Sequence, residues 1–363
     1  MRIFWTIIFL LLPLAGQYYV SLRVWQLLPT LLPLRIAVVA AMAVAFISIF
    51  LNFSGVGDHL PMGLATALYE VGTSWLIILL YMTMLFGLLD LGMVTHLIPR
   101  SFLKGSVAGS LSVFVFLTVL FTMAYAHYNH KERVEMTLNT QGKVKKQVKL
   151  VLISDIHLGY HNRRSDLHRW LQQIMRDKPD AILIAGDLVD GSIRPVNEEQ
   201  SAEEFRQLPV PVYAILGNHD YYTGTQADLA FCRQAGIRVL RDSIATFGDI
   251  SIVGRDDRTN PYRKSLRDIM LDVDRSKYII EMDHQPYHLE EAQQNGVDFE
   301  FAGHTHYGQV WPISWITRAV YEDAFGPYRK GHTRYYVSSG LGIWGAKFRI
   351  GTQSEYIVVT LNP

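Results

Sequence analysis

Apolar residues fill the first third of the chain almost without interruption. Four runs, Ile3–Val20, Ile36–Phe53, Ser74–Val94 and Val107–Tyr125, are each roughly 18–21 residues long, enough for a helix to cross a hydrocarbon core about 30 Å thick. Between them lie short segments, Ser21–Arg35, Ser54–Thr73 and Thr95–Ser106, that carry the breakers and charges. Tyr18, Tyr19, Trp25, Trp75 and Tyr125 stand near the run ends, where amphipathic rings settle at a membrane interface. Runs this long and this free of charge predict a transmembrane helical anchor over residues 1–128, in preference to a buried soluble bundle. A cleaved leader at the first run is the weaker reading, because further spans follow it directly. Asp90 lies inside the third run but near its end, within reach of the interface, which favours a structural role.

Beyond Tyr128 the pattern changes. Short β-branched runs predict strands at Val134–Leu138, Val148–Ile153, Ala181–Ala185, Val212–Leu216, Ile237–Leu240, Ile250–Val253, Tyr278–Glu281, Phe299–Ala302, Tyr335–Ser338 and Tyr356–Leu361. Helix-period segments fall between them at Ser165–Arg176, Ala202–Gln207, Gln226–Ala235 and Leu289–Asn295. The first two strands flank a turn at Gln141–Gly142 and read as a hairpin. Such alternation predicts an α/β domain over residues 129–363, with helices on the outer faces of its sheet.

Charge and cysteine usage then exclude two classes. The chain has 34 Lys and Arg against 33 Asp and Glu, a net charge of +1, so no cation excess marks it as a nucleic-acid binder. Cys232 is the only cysteine, which excludes an intrachain disulfide and a thiolate metal cluster. Its apolar neighbours predict core packing. With four spans both termini share a side; Arg2, Lys131, Arg133, Lys143, Lys145 and Lys146 lie there, against Arg23, Arg35, Arg100 and Lys104 opposite. That bias favours a cytoplasmic catalytic half.

Five segments place an Asp, Asn or His directly after an expected strand: Ser154-Asp155-Ile-His157, Gly186-Asp187, Gly217-Asn218-His219-Asp220, Asp283-His284 and Gly303-His304-Thr-His306. Loops at the carboxyl ends of strands in an open α/β sheet converge on one crevice, so these side chains can meet across long sequence distances. Imidazole, carboxylate and amide oxygen without thiolate suit Mn, Fe or Zn, and Mn is favoured. Asp155 and His157 can point to one ion, as can His304 and His306, and Asp187 has the natural place for a carboxylate bridging two ions.

The ordered set of five segments resembles the signature of the calcineurin-like metallophosphoesterases: Asp-x-His, Gly-Asp, Gly-Asn-His-Asp/Glu, His and Gly-His-x-His. The likeness covers roughly Lys149 to the C-terminus. It implies an α/β sandwich of two mixed sheets flanked by helices, preceded here by a bundle of about four transmembrane helices. It further implies that Asp155, His157 and His306 hold one divalent ion and Asn218, His284 and His304 the other, with Asp187 bridging. His219 would protonate the leaving oxygen and Asp220 would orient it, while a hydroxide bridging the two ions attacks phosphorus. Val337-Ser338-Ser339-Gly340-Leu341-Gly342, followed by Arg349 and Glu355, and the turn at Gly254-Arg-Asp-Asp257, are similar to the bacterial membrane-associated branch, and imply the bacterial inner membrane. The segment Ile343–Lys347 departs from that branch.

The resemblance implies a phosphoric ester hydrolase of phosphodiesterase or pyrophosphatase type, acting on a phosphorylated substrate that is lipid-linked. Tethering at the bilayer points the same way, and the apolar set Trp311, Trp315, Ile316, Tyr321, Phe325 and Trp344 reads either as lipid contact or as core. An anchored phosphodiesterase for soluble nucleotides and a non-catalytic membrane sensor or scaffold are the alternatives; the intact ligand set disfavours the latter. Tyr160, His161, Arg163, Arg164, Arg255 and Arg258 lie where they could touch substrate. The basic run Lys143, Lys145, Lys146 and Lys149 reads equally as a solvated hairpin or a contact for anionic lipid.

Overall fold

The computed structural model describes the backbone of residues 2–363 and the side chains from Leu11 onward, so Arg2's side chain and the start of the first apolar run lie outside the described residues. The chain divides into two compact units, residues 1–124 and 125–363.

The apolar third forms helices α1 (Arg2–Leu27), α2 (Leu32–Phe53), α3 (Met62–Val94) and α4 (Val107–Asn129). Among the described residues, α2, α3 and α4 are long and apolar enough to cross a membrane. Each expected run falls within one helix, but α3 begins well before Ser74. Pro61 starts it, and the good helix formers after Met62 leave only the first part of the expected connecting segment irregular. Gly72 packs against the backbone of α2, where a Cβ would stand 2.8 Å from Ser48 and 2.9 Å from Ile49. Small residues permit this close approach between membrane helices. Asp90 accepts from Tyr19 Oη at 2.6 Å and pairs with Arg23 at 2.5 Å, so its charge is met inside the bundle.

The second unit has twelve strands: β1 (Lys131–Asn139), β2 (Val148–Ile153), β3 (Ala181–Ala185), β4 (Val212–Ile215), β5 (Arg238–Val239), β6 (Ser243–Phe247), β7 (Ile250–Gly254), β8 (Tyr278–Met282), β9 (Phe299–Ala302), β10 (Gly326–Lys330), β11 (Thr333–Val337) and β12 (Ser354–Asn362). They form two six-stranded mixed sheets, ordered β1-β12-β2-β3-β4-β5 and β10-β11-β9-β8-β7-β6. Alternate side chains of β2, β3, β4 and β12 meet those of β7, β8 and β9 in one core, including Leu152, Leu183, Ile252, Ile280 and Phe301. Their other faces are covered by helices. Helix α5 (Arg164–Met175) buries Leu167, Trp170, Leu171 and Ile174 on the first sheet. That is the i, i+3, i+4, i+7 spacing of an amphipathic helix, and each large side chain buried contributes about 1.5–3 kcal/mol. The short helices α6 (Arg194–Glu198) and α7 (Ala202–Arg206) follow β3, and α8 (Asn218–Thr223) and α9 (Thr225–Ala235) follow β4. Cys232 lies in the core beneath α9, as its neighbours predict. Helices α10 (Leu266–Ile269) and α11 (Glu290–Asn295) cover the second sheet.

The expected hairpin of the first two strands does not form. β12 lies between them, parallel to β1 and antiparallel to β2. The basic run is partly tied down: Lys143 pairs with Asp298 at 2.7 Å, and Lys149 Nζ donates to the Asp177 carbonyl at 3.1 Å. In each sheet the central strands β2-β3-β4 and β7-β8-β9 run parallel, so the loops after β2, β3, β4, β8 and β9 open at strand carboxyl ends.

Candidate metal centre

The five loops leave their strands with the backbone bent. Asp155, His157, Asp187, His304 and His306 all have positive φ, between 46° and 70°, a conformation that costs non-glycine residues about 1–3 kcal/mol each. Bonds between loops hold it. Asp155 N donates to the Gly186 carbonyl and His157 N to the Asp187 carbonyl, both at 3.0 Å. His304 N donates to the Asp155 carboxylate at 3.1 Å, and His219 N to Asp187 Oδ1 at 2.8 Å. Side chains at Gly217 and Gly303 would collide with the carboxylates of Asp187 and Asp155, so glycine is required for the loops to close this tightly.

Two groups of donor atoms match the expected ion sites, Asp155, His157 and His306 in one and Asp187, His284 and His304 in the other, and a third, His157, Asp187 and His219, spans them; within each, one atom per residue lies within 4.8 Å of the rest. The Nε2 atoms of His157 and His306 are 3.0 Å apart, and His306 Nε2 is 3.4 Å from Asp155 Oδ1. His284 Nε2 lies 3.2 Å from both Asp187 Oδ2 and Asn218 Oδ1. Asp187 Oδ2 is also 3.6 Å from His157 Nε2, so this carboxylate stands against both groups. The structure thus brings together all seven residues expected to ligate metal.

Their environment fits divalent cations. Asp155 and Asp187 are 0% and 1% exposed, and among the described residues neither pairs with a lysine or arginine. Two adjacent desolvated carboxylates call for positive charge. His284 Nδ1 donates to the Ala185 carbonyl at 2.7 Å, which turns Nε2 toward the centre. Burial opposes its charge, but the charges of Asp187 and Asp155 outweigh burial and hold this imidazole well above its ordinary value, so a cation there would displace its proton. Burial holds the His304 imidazole down at about 3 and His306 well below its ordinary value, in the neutral form that ligates.

His219 sits beside the first group, its ring 4.7 Å from that of His157. Its orienting partner differs from expectation. Asp220 makes no bond to the imidazole; its carboxylate accepts from the backbone N–H groups of Leu188, Val189 and Gly217 at 2.7–3.0 Å. The reason is geometric. His219 and Asp220 are consecutive residues in the first turn of α8, where side chains diverge, so Asp220 caps that turn instead. Asp190, three residues beyond Asp187, takes Nδ1 of His219 at 2.7 Å. Burial alone would lower the His219 pKa, but the bond to Asp190 and the charges of Asp187 and Asp190 outweigh it and hold it up at about 9. Asp190 was legible only as a second aspartate in Gly186-Asp-Leu-Val-Asp190, where it reads as a turn former.

The other flanking residues divide clearly. Arg163 pairs with Glu199, Arg164 with Glu204 and Arg255 with Glu291 and Asp283, so each of these guanidinium groups is engaged by carboxylates. His161 Nε2 meets the Ile343 carbonyl at 2.7 Å, and Tyr160 is buried. Arg258 lies over the ring of Tyr287, whose hydroxyl bonds that of Tyr321, and the Tyr321 ring is 6.2 Å from His304. Trp344 lies 6.1 Å from His219. The Ser338–Gly342 stretch backs the centre: Leu341 N and Gly342 N donate to the Ser154 and Asp155 carbonyls at 2.9 Å. Buried Arg349 clamps this stretch to the ligand loop through the Ser339 and His306 carbonyls.

Residues 148–308 match the family model described as calcineurin-like phosphoesterase. An uncharacterized metallophosphoesterase of Aquifex aeolicus is 31% identical over 251 residues, covering 65% of this chain and 95% of that protein. One of Campylobacter jejuni is 31% identical over 226 residues, 60% of each chain. A Danio rerio transmembrane protein with metallophosphoesterase domain is 31% identical over 234 residues, 59% of this chain and 53% of its own length. The chain therefore spans nearly the whole of the first relative and little more than half of the other two.

Proposed function

Because the chain belongs to the calcineurin-like metallophosphoesterases, we propose that it hydrolyses phosphate ester or diphosphate bonds at a centre of two divalent ions. Asp155, His157 and His306 would hold one ion, Asn218, His284 and His304 the other, with Asp187 shared. The observation that supports this reading most is the convergence of seven ligating side chains from five loops on buried carboxylates that have no arginine or lysine partner among the described residues. When bound, such ions supply Lewis-acid charge and a nucleophile at neutral pH.

The chain's own groups do the rest. Asp190 fixes His219 by Nδ1, leaving Nε2 as the nitrogen that can face a leaving oxygen. The bond to Asp190 favours the imidazolium, so His219 can hold a proton at neutral pH and donate it there. Asp220 keeps the turn that carries both Asn218 and His219 in place. The mixed set of four imidazoles, two carboxylates and one amide oxygen, without thiolate, suits Mn, Fe or Zn, of which we favour Mn. The apolar helices support a substrate that is itself amphiphilic, held at the bilayer, and a phosphodiester or diphosphate is the bond the family likeness favours. The excess of cations flanking α4 supports a cytoplasmic catalytic unit at a bacterial inner membrane.

The test is turnover by the purified full chain of an activated aryl phosphodiester with excess Mn. Hydrolysis should vanish on chelation and return with the ion, and His219→Ala should lower kcat by about 10²–10⁴-fold. Protein that binds Mn, Fe or Zn yet turns over no phosphoester with any of them would overturn the proposal.

A further inference from the structure

Helix α12 (Ile313–Val320) is folded inside out. Its buried positions are Ser314 and Thr317, whereas Trp315, Ile316 and Val320 are 63%, 64% and 58% exposed, with Trp311 just before them at 38%. A helix on a globular surface normally shows the reverse pattern. The polar inner face has a local cause. It packs on the turn that follows His306, where a Cβ at Gly308 would come within 2.8 Å of Thr317 Oγ1 and 2.7 Å of the Ser314 nitrogen. Only small side chains fit there, and Thr317 satisfies its hydroxyl on the Ile313 carbonyl at 3.2 Å. Trp315, Ile316 and Val320 thus direct apolar side chains outward from the unit. This outer face is also contiguous: the Trp311 and Trp315 rings meet edge to face at 5.4 Å, and Ile316 and Val320 continue the same side of the helix.

The helix is bracketed by the candidate metal centre. Before it, Tyr307 adjoins His306, stacks on Phe325 and lies beneath the Arg318 guanidinium. After it, Tyr321 faces the His304 ring. Two features say what covers this face. The chain carries helices long and apolar enough to cross a membrane, and α4 passes into β1 with His130 alone between them. Contact between the bilayer and an apolar face of the catalytic unit is therefore intramolecular, at high effective concentration. The face itself has interfacial chemistry: two tryptophans, which settle at headgroup level, aliphatic side chains beside them, and the exposed cation Arg318 suited to lipid phosphate.

We propose that α12 is an interfacial element that beds Trp311, Trp315, Ile316 and Val320 in the headgroup–acyl boundary of the bilayer, so that the Gly303–His306 loop works at the lipid surface. The inference rests on the membrane reading of the N-terminal helices and stands apart from hydrolysis.

The full chain in phospholipid vesicles tests it. Cys232 is buried and its thiol is pushed up by burial, so one added cysteine can be labelled selectively. A polarity-sensitive dye is placed at Ile316→Cys or, as a control, at Tyr262→Cys, which is the wholly solvated aromatic of the same unit. The dye at 316 should be quenched by a nitroxide carried near the top of the lipid chains, and about fivefold less than the dye at 262 by aqueous iodide. Equal quenching by iodide at the two sites would overturn the proposal. So would protection at 316 without nitroxide quenching, since a second copy or another protein would then cover the face. No activity is read, so an inert enzyme that still beds Ile316 tells against the hydrolase reading alone.

Discussion

Two carboxylates fix His219, and they do different work. Asp190 holds Nδ1 of the imidazole, whereas Asp220 gathers three backbone N–H groups beneath it. Asp190→Asn keeps the shape but removes the charge that favours the imidazolium. Its kcat should fall about 10²–10³-fold with KM little changed. The alkaline limb of its pH–rate profile should move to lower pH, because the bond and charge of Asp190 that raise the His219 pKa are lost. Asp220→Ala should leave that limb in place and instead lower the unfolding midpoint, since orphaned buried amides cost about 1–3 kcal/mol each. An unmoved limb in Asp190→Asn, or a moved one in Asp220→Ala, would reverse the two roles. Taken singly, each of the seven candidate ligands would read as a turn former or a satisfied polar group; together they are legible in the sequence because they fall in five segments after strands whose order resembles the family signature. Asp190 was not, because the bond that matters reaches across to the loop after β4. Adjacency in sequence favoured Asp220, and the geometry of a helical turn defeats it.

At the scale of elements, the β-branched runs located most strands, yet pairing depends on partners far away. β1 pairs along all nine of its residues with the nine-residue β12, whereas β2 has six. β10 was invisible for a different reason: Gly-Pro-Tyr-Arg-Lys is a poor strand sequence, tolerated because β10 is an edge of its sheet. The neighbouring pair β8 and β9 carries a consequence for stability. Glu281 and Glu300 are register partners on these strands, both buried, with Arg255 3.8 Å from Glu281. Burial pushes the Glu281 carboxyl up to about 8, against the opposing pull of Arg255 and with the nearby charge of Asp283 adding to it. An unfolded glutamate ionises near pH 4.3. Across the interval between these values the native state holds a proton that the unfolded state has released, so stability falls as pH rises. Glu281→Gln cannot ionise and should lose less. Thermal unfolding of the catalytic unit at about pH 5 and about pH 8 measures this. An equal drop in wild type and variant would show that Glu281 already ionises in the folded state.

For the whole molecule, the division into an apolar third and a charged remainder is legible because the two solvents, lipid and water, select opposite compositions. The sequence alone gives no account of how far the catalytic unit depends on the ions it is built to hold. Asp155 and Asp187 are buried together among imidazoles and backbone N–H groups, with no lysine or arginine paired to them among the described residues. Divalent ions that bind the folded unit but not the unfolded chain must stabilise it by mass action, by about 2.7 kcal/mol at a concentration 100 times Kd. The unfolding midpoint of the catalytic unit should therefore climb with Mn concentration and fall back on chelation. The N-terminal helices should be indifferent, because every donor group lies between Asp155 and His306. Asp187→Asn weakens the one side chain placed against both groups, and should blunt the Mn dependence more than His157→Ala, which touches one. Calorimetry of the full chain in detergent, with Mn titrated against each variant, separates these outcomes. A midpoint that ignores Mn would mean that imidazolium–carboxylate pairs already satisfy the cluster, and the strained loops around it would then need a purpose other than holding metal.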